Sequence, residues 1–583
     1  MLPRITEEEI RSLINVAQGK EPADLVLQGG KVLNVYSGEI LKQDVAIKGR
    51  RIAYVGDACQ LNCRPEKMTD VSGHLLTPGY FDPHAHAELV TDITSLAQSV
   101  LPLGTTALFC DSRYIGFTLG ARGMELLRME GEAVPMKVCF GIPATSPSFP
   151  ALEGKAQMDL ATYDTLLKQP DLVSLSEVYQ WIQINRQEEN LIHRFDMARR
   201  HGKRIEGHLP GASAHAMTPS VIAGLTSDHE AITAQEALDR LRMGLHVMLR
   251  HGSIRDDLPT LAALIRDYPI DTSRVMLTPD FMNPRDILTK GYMDYVIRVA
   301  IELGVPPIKA YQMSTLNPAR YFHLDGEMGG LSPGKVADLL VLRDIHEPTP
   351  LKVLVNGQWV SEEKKLLTEL RRPDFPFSTK ATLDVTWISE DALKVKSNSP
   401  FSQEVPAIIF YDKTITKLEK VTLPVKNGLV VPDPGRMVQK IAMPRTDRTG
   451  VSVAFVKGFT RDLGAVSIGV CHDSVLPFVA GSNDKDMAMA FRWLAETGGG
   501  VVIVHNGQVL FELPFPLGGV ASDLPMGPLA DRMDEFVRIV RDFGCPLADP
   551  FMTFLFIPFT ALPYVRMTPS GLLDVIPFKI IDT

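Results

Sequence analysis

The chain opens on a helical rhythm and soon leaves it. Ile10, Leu13, Ile14 and Ala17 recur at the spacing of one helix face among charged neighbours, which predicts an amphipathic helix within residues 1–20. Short β-rich runs follow, Leu25-Val26-Leu27, Lys31-Val32-Leu33-Asn34-Val35 and Asp44-Val45-Ala46-Ile47. Gly-Gly and Ser-Gly turns separate them, so they predict a small antiparallel sheet. From Leu75 short apolar runs alternate with helical segments: Thr106-Ala107-Leu108-Phe109 before a helix over 120–129, then runs at 138–142, 173–175, 204–205, 247–249 and 275–277. Strand–helix alternation over roughly 250 residues is the pattern of a parallel (β/α)8 barrel.

Near Pro333 the chain returns to β with Ala337-Asp338-Leu339-Leu340-Val341-Leu342 and Lys352-Val353-Leu354-Val355-Asn356-Gly357. Two β segments that bracket a barrel in sequence can pair into one sheet in space. A polar stretch with prolines at 371–379 reads as a linker. The C-terminal part has mixed α/β character, with a run at 498–504 leading into His505-Asn506-Gly507, a hairpin turn. The most apolar stretch, 551–565, is broken by Pro558 and Pro563 and is expected to be a buried strand pair. The predicted class is α/β: a helix in 1–20, a composite β domain from 21–75 and 331–370, a TIM-like barrel over 76–330, and a further α/β domain over 380–583.

Composition narrows this only slightly. A chain of 583 residues with 45% hydrophobic and 22% charged residues is an ordinary globular protein of several domains. Its formal charge of -9 leaves no basic stripe for nucleic acid. The first residues lack the apolar core of a signal peptide, and no long uncharged apolar run predicts a membrane span, so a cytoplasmic protein with no membrane partner is expected. The six cysteines are scattered and are expected to be reduced thiols.

The chemistry begins at Pro78-Gly79-Tyr80-Phe81-Asp82-Pro83-His84-Ala85-His86. Residues two apart on a strand face one side, so His84 and His86 point together at the C-terminal end of the first barrel strand, where such folds place their chemistry. Imidazoles suit zinc, iron and other transition metals. A His-x-His pair alone is weak, because two surface histidines meet it by chance. Three more signals accompany it. Glu206-Gly207-His208-Leu209-Pro210-Gly211 sets a histidine after a short strand, Thr226-Ser227-Asp228-His229-Glu230 repeats the arrangement, and Leu277-Thr278-Pro279-Asp280 ends a strand with a carboxylate. Together they form a ring of ligands around a barrel mouth. His193, His201 and His215 lack such context and read as solvated. Methionines such as Met124, Met129, Met243 and Met248 read as packing.

With these motifs in place, the chain resembles the adenine deaminases of the amidohydrolase superfamily over nearly its whole length. The likeness takes in Gly104-Thr105-Thr106, Asn317-Pro318-Ala319, Leu331-Ser332-Pro333-Gly334-Lys335 and the C-terminal Asp549-Pro550-Phe551-Met552-Thr553. It implies a metallo-hydrolase barrel with two divalent ions (Mn, Fe or Zn). His84 and His86 match ligands of the more buried ion, and Glu177 matches a bridging carboxylate. His208 and His229 match ligands of the second ion, and Asp280 matches the last-strand aspartate that touches metal and shuttles protons. The choice of Glu177 over Glu188 or Glu189 rests on the resemblance alone. The implied reaction is hydrolytic deamination of an aminopurine, adenine first, in a homo-oligomer of two or more chains. Glu230 and Glu88 are candidate donors to the ring nitrogen; Glu230 as a salt-bridge partner reads equally well.

Departures from the family's pattern fall around the substrate. The run after His86 is Ala87-Glu88-Leu89-Val90, where the family usually has Ile-Glu-Ser-Ser. Asp111-Ser112-Arg113-Tyr114 replaces Asp-Pro-His-Glu, Asp280-Phe281 replaces Asp-Asp, and Arg250-His251-Gly252-Ser253 replaces Arg-Glu-Gly-Ser. In the C-terminal part the run reads His472-Asp473-Ser474-Val475-Leu476. Arg113, His251 and Phe281 are therefore the candidates to face the substrate, and Arg113 suits an anionic group. Two other readings stay open: an amidohydrolase acting on a cyclic amide or another amino-heterocycle, and a catalytically silent purine-binding relative.

Overall fold

The computed structural model describes residues 4–581 apart from 146, 148, 150–151, 153–157 and 470–475. Eight parallel strands form the central barrel: β1 (Tyr80–Ala85), β2 (Thr105–Cys110), β3 (Lys137–Pro143), β4 (Leu172–Val178), β5 (Arg204–Gly207), β6 (Ser227–Asp228), β7 (His246–Arg250) and β8 (Val275–Thr278). β1 to β5 pair in sequence order as one sheet and β6 to β8 as another. The two sheets meet where Thr226 N–H donates to Ile205 O (2.9 Å) and where Ala85 bridges Asp280. Phe81, Ala107, Phe109, Cys139, Val173, Met248 and Met276 fill the barrel axis against Tyr321 and Phe322. The interior below the mouth is thus a packed core with no passage through it.

The strands read as unbroken apolar runs because helices cover their outer faces. Leu160–Leu167, Glu189–Arg200, Ala234–Arg242 and Met293–Glu302 are among those helices, and the first carries an Asp159 cap on Thr162 N. Beside the barrel, the segments that bracket it share one sheet: Leu75–Pro78 lies between Lys31–Asn34, parallel to it, and Leu339–Leu342, antiparallel to it. The N-terminal helix Glu7–Ala17 is closed by a Thr6–Glu9 capping box. It buries Leu13 and Val16, whereas Ile10 and Ile14, expected on the packed face, are exposed.

The C-terminal region is built on a ten-stranded sheet whose long hairpin pairs Ser402–Phe410 with Thr416–Lys426. Strands Gly500–His505 and Gln508–Pro514 turn at Asn506 (φ 53°) and Gly507 (φ 74°), the left-handed pair that a two-residue hairpin demands. The expected strand pair at 551–565 is not there. Pro550–Leu555 is a helix, capped by Asp549 on Met552 N, and only Val565–Thr568 enters a strand. Asp-Pro is a helix start, and the apolar run lacks the alternation of a half-exposed strand because all of Phe551 to Leu562 is buried. Residues 371–379 form no helix or strand. No helix among the described residues is long and apolar enough to cross a membrane.

Candidate metal centre at the barrel mouth

Each candidate ligand stands at or just past the C-terminal end of a barrel strand. His84 lies in β1 and His86 follows it, Glu177 is the penultimate residue of β4, His208 follows β5, His229 follows β6, and Asp280 follows β8. All are buried. Asp280 takes a left-handed backbone (φ 65°), which an aspartate tolerates and which turns its carboxylate back over β1. Gly252 makes this possible: a Cβ there would lie 2.0 Å from Pro279 O.

The groups converge in four overlapping sets among the described residues. His84, His86 and Asp280 form one, His84, Glu177 and His229 another, His208, His229 and Glu230 a third, and His86, Asp111 and Glu177 a fourth, with potential ligand atoms within 4.8 Å of each other in each set. Glu177 divides its oxygens. Oε1 lies 2.5 Å from His208 Nδ1 and 3.2 Å from His229 Nε2, whereas Oε2 lies 2.9 Å from Arg113 Nη1 and 3.7 Å from His86 Nε2. Asp280 Oδ1 sits 3.3 Å from His86 Nε2 and 3.5 Å from His84 Nε2, and its Oδ2 accepts from Arg250 Nη1 at 3.0 Å. The same Nη1 is ion-paired with Glu230.

Electrostatics divide the ring into charged acids and two kinds of imidazole. Burial opposes charge on Glu177 and Asp280, but Arg113 and His208 on the one, and His86 and Arg250 on the other, hold both far below the ordinary carboxylate range. Burial likewise opposes charge on Glu230, yet Arg250 and His208 keep it ionised. Burial works against protonated His86 and His229 as well, and the acids around them still raise these rings to about 8 and about 9. His84 goes the other way: burial and His229 push it well below 6.5. Its surroundings favour the neutral ring, and among the described residues neither of its nitrogens, nor Nε2 of His208, has a hydrogen-bond partner. Buried imidazole nitrogens without partners are costly unless they ligate something. Four imidazoles and two carboxylates are also a donor set that suits Mn, Fe or Zn. The residues present therefore fit a metal centre.

Above the ring lies a small cavity that opens to solvent. His86, Glu177, His208 and Asp280 form its floor, and Arg113, Glu230 and Arg250 line it too. Two of the three expected substrate-facing residues take other places. His251 turns to Tyr295 Oη (3.1 Å), and Phe281 is packed into the main core, so neither lines the cavity among the described residues. Glu88 also faces away: it accepts from Cys110 Sγ (3.2 Å) and Tyr114 N (3.3 Å). His193 and His215 are exposed, and His201 rests on Asp164 at 3.0 Å.

Some of the site escaped sequence reasoning. Arg250 and Arg255 come from the strand and loop that drew attention only through His251. Asp111, buried and with neither carboxylate oxygen hydrogen-bonded among the described residues, lies 3.7 Å from His86 Nδ1. Thr414, Phe556, Phe559 and Leu562 close the cavity from the C-terminal region. Lys413 Nζ donates to Ser253 O (2.7 Å) and Arg255 to Thr414 Oγ1 (3.2 Å), which pins that region onto the β7 loop. Of the run at 472–476, residues 472–475 lie outside the described residues.

Known proteins show the same two-part plan. Residues 75–360 match the amidohydrolase family and residues 413–579 match the adenine deaminase C-terminal domain. A protein named adenine deaminase from Moorella thermoacetica is 35% identical over all of this chain and 99% of its own length. One of the same name from Kosmotoga olearia is 32% identical over 97% of each chain. A third, named adenine deaminase 3, from Rhizobium meliloti, is 33% identical over 97% of each. With a ring of candidate ligands at the mouth of its barrel, a C-terminal region that walls the cavity, and likeness from end to end, the chain belongs to the adenine deaminase family.

Proposed function

We propose that this protein hydrolyses the exocyclic amine of an aminopurine, adenine and water giving hypoxanthine and ammonia. The convergence of His84, His86, Glu177, His208, His229 and Asp280 beneath one cavity carries the hydrolytic part of that reading. Full-length likeness to proteins named adenine deaminase carries the substrate. These six residues would hold two divalent cations, which supply a water acidic enough to yield hydroxide near neutral pH.

The protein's own groups then manage two protons. Glu230 lines the cavity and is ionised beside Arg250, so it can take the proton that water loses and pass it to the ring nitrogen next to the reacting carbon. Asp280, held by Arg250 through Oδ2, takes the remaining hydroxyl proton and gives it to the departing amine. The hydroxyl oxygen stays as the product carbonyl and the nitrogen leaves as ammonia. Glu88 has no part in this scheme, because its carboxylate is spent on Cys110 and Tyr114 N. Arg113 reaches the cavity as a fixed cation on Glu177, and the apolar wall of Phe556, Phe559 and Leu562 suits a flat ring.

The test is turnover by metal-supplemented protein across a panel of aminopurines, read as ammonia release and as the ultraviolet change of the ring. Adenine is expected to be the best substrate. Hydrolysis of a lactam or imide with no turnover of any aminopurine would overturn the assignment.

A further inference from the structure

Arg113 is the least ordinary group in the centre. It starts the helix Arg113–Leu119 directly after Ser112, whose backbone is left-handed (φ 64°), and its side chain is 2% exposed. Its guanidinium carbon lies 5.0 Å from the centre of the Tyr114 ring, 5.3 Å from that of Tyr179 and 5.2 Å from that of Phe559. Its Nη2 donates to Tyr114 Oη at 3.0 Å and its Nε stands 3.7 Å from Asp111. A guanidinium boxed by three rings and two acids cannot swing away, and a guanidinium does not lose its proton in a protein. The positive charge on Glu177 Oε2 is therefore permanent.

Resting on the metal reading proposed above, we infer that Arg113 is a resident cation of the centre and makes its two metal positions unequal. A carboxylate that bridges two ions offers one oxygen to each. Among the described residues Glu177 Oε1 faces the imidazoles of His208 and His229 and no guanidinium, so an ion there meets no fixed positive charge on that oxygen. Oε2 already carries Arg113 at 2.9 Å, and an ion that takes this oxygen must share it with a cation at close range in a buried site, where repulsion is weakly screened. One divalent ion thus binds tightly and the second, on the Oε2 side, binds weakly.

Titration of metal-stripped protein with Mn2+ tests this by calorimetry and electron paramagnetic resonance. The intact protein is expected to take its first ion at least tenfold more tightly than its second, on the order of what one nearby buried charge imposes. The spectrum is expected to show an isolated ion at one equivalent and a spin-coupled pair only in excess metal. Arg113→Gln should narrow the gap by roughly tenfold or more, while Arg113→Lys, which keeps the charge, should preserve it. Two equal affinities in the intact protein overturn the inference even if Arg113→Gln does not fold, and so does a gap that Arg113→Gln leaves unchanged. Intact protein that binds no Mn2+ removes the metal reading itself, and the inference with it.

Discussion

Single side chains in the barrel mouth have separable duties. Asp280 is both a candidate ligand and the group placed to carry a proton to the leaving nitrogen. Asp280→Asn keeps the shape and loses the proton, so kcat should fall by about 10³ or more while far-ultraviolet circular dichroism stays as in the parent. Activity within tenfold of the parent would remove Asp280 from the proton path. The two glutamates that the sequence offers as ring-nitrogen donors differ in place: Glu230 lines the cavity and Glu88 faces away. Glu230→Gln should lower kcat by at least about 10². Glu88→Gln keeps an acceptor for Tyr114 N and should change it by less than about threefold. Equal losses in a side-by-side ammonia assay would show that Glu88 is more than a support. These distinctions were legible only in part beforehand. His84, His86, His208, His229 and Asp280 announce themselves because a strand followed by a ligand leaves a local signature. Arg250 left none: its partners Glu230 and Asp280 sit on other strand ends, and only the closed barrel brings all three together.

At the scale of elements, alternation of apolar runs and helices was enough to read the barrel, and Asn506-Gly507 to read its hairpin. The region 551–565 reads as strands but forms a helix at its start, because the buried run 551–562 has no polar face to reveal its period. The polar, proline-containing stretch at 371–379 reads as a linker, and Arg372 reaches the barrel from it. It forms an ion pair with Asp92, the buried cap of the helix Ile93–Val100, and stands 3.7 Å from Glu130 on the helix Ala121–Ala133. Burial, reinforced by Asp92, pushes the Glu130 carboxyl up to about 8. Between about 4.5 and 8 the unfolded chain holds this group ionised while the folded protein keeps it protonated, so its contribution to stability falls as pH rises through that window and levels off above it. Arg372→Met leaves buried Asp92 without its cation, and above about pH 8 the ionised Glu130 as well, and should cost about 3–5 kcal/mol. It also raises Glu130 further, so the variant keeps losing stability above pH 8 where the parent has stopped. Urea midpoints at pH 6 and pH 9 should therefore show a deficit that widens at the higher pH. A constant deficit would mean that Arg372 acts on Asp92 alone.

For the molecule as a whole, the C-terminal region acts as part of the site. No periodicity in one segment could show this, since the cavity forms only when residues 413–414 and 556–562 dock on the loop after β7. Phe559 is one of these: its ring lies 5.7 Å from that of His208 and beneath Arg113, and it is 2% exposed. A planar heterocycle on the metal floor would meet this wall in the ground state and in the transition state alike. Phe559→Ala should thus raise KM about tenfold and leave kcat within about threefold, the mark of lost uniform binding. Phe559→Leu, which keeps apolar bulk, should fall between. The truncation should also lower stability by about 3–5 kcal/mol, so kinetics are to be read where circular dichroism shows both variants folded. An unchanged KM in folded Phe559→Ala would mean that the C-terminal region closes the barrel without touching the substrate; a lowered kcat at constant KM would place Phe559 on the chemistry through Arg113 and Glu177.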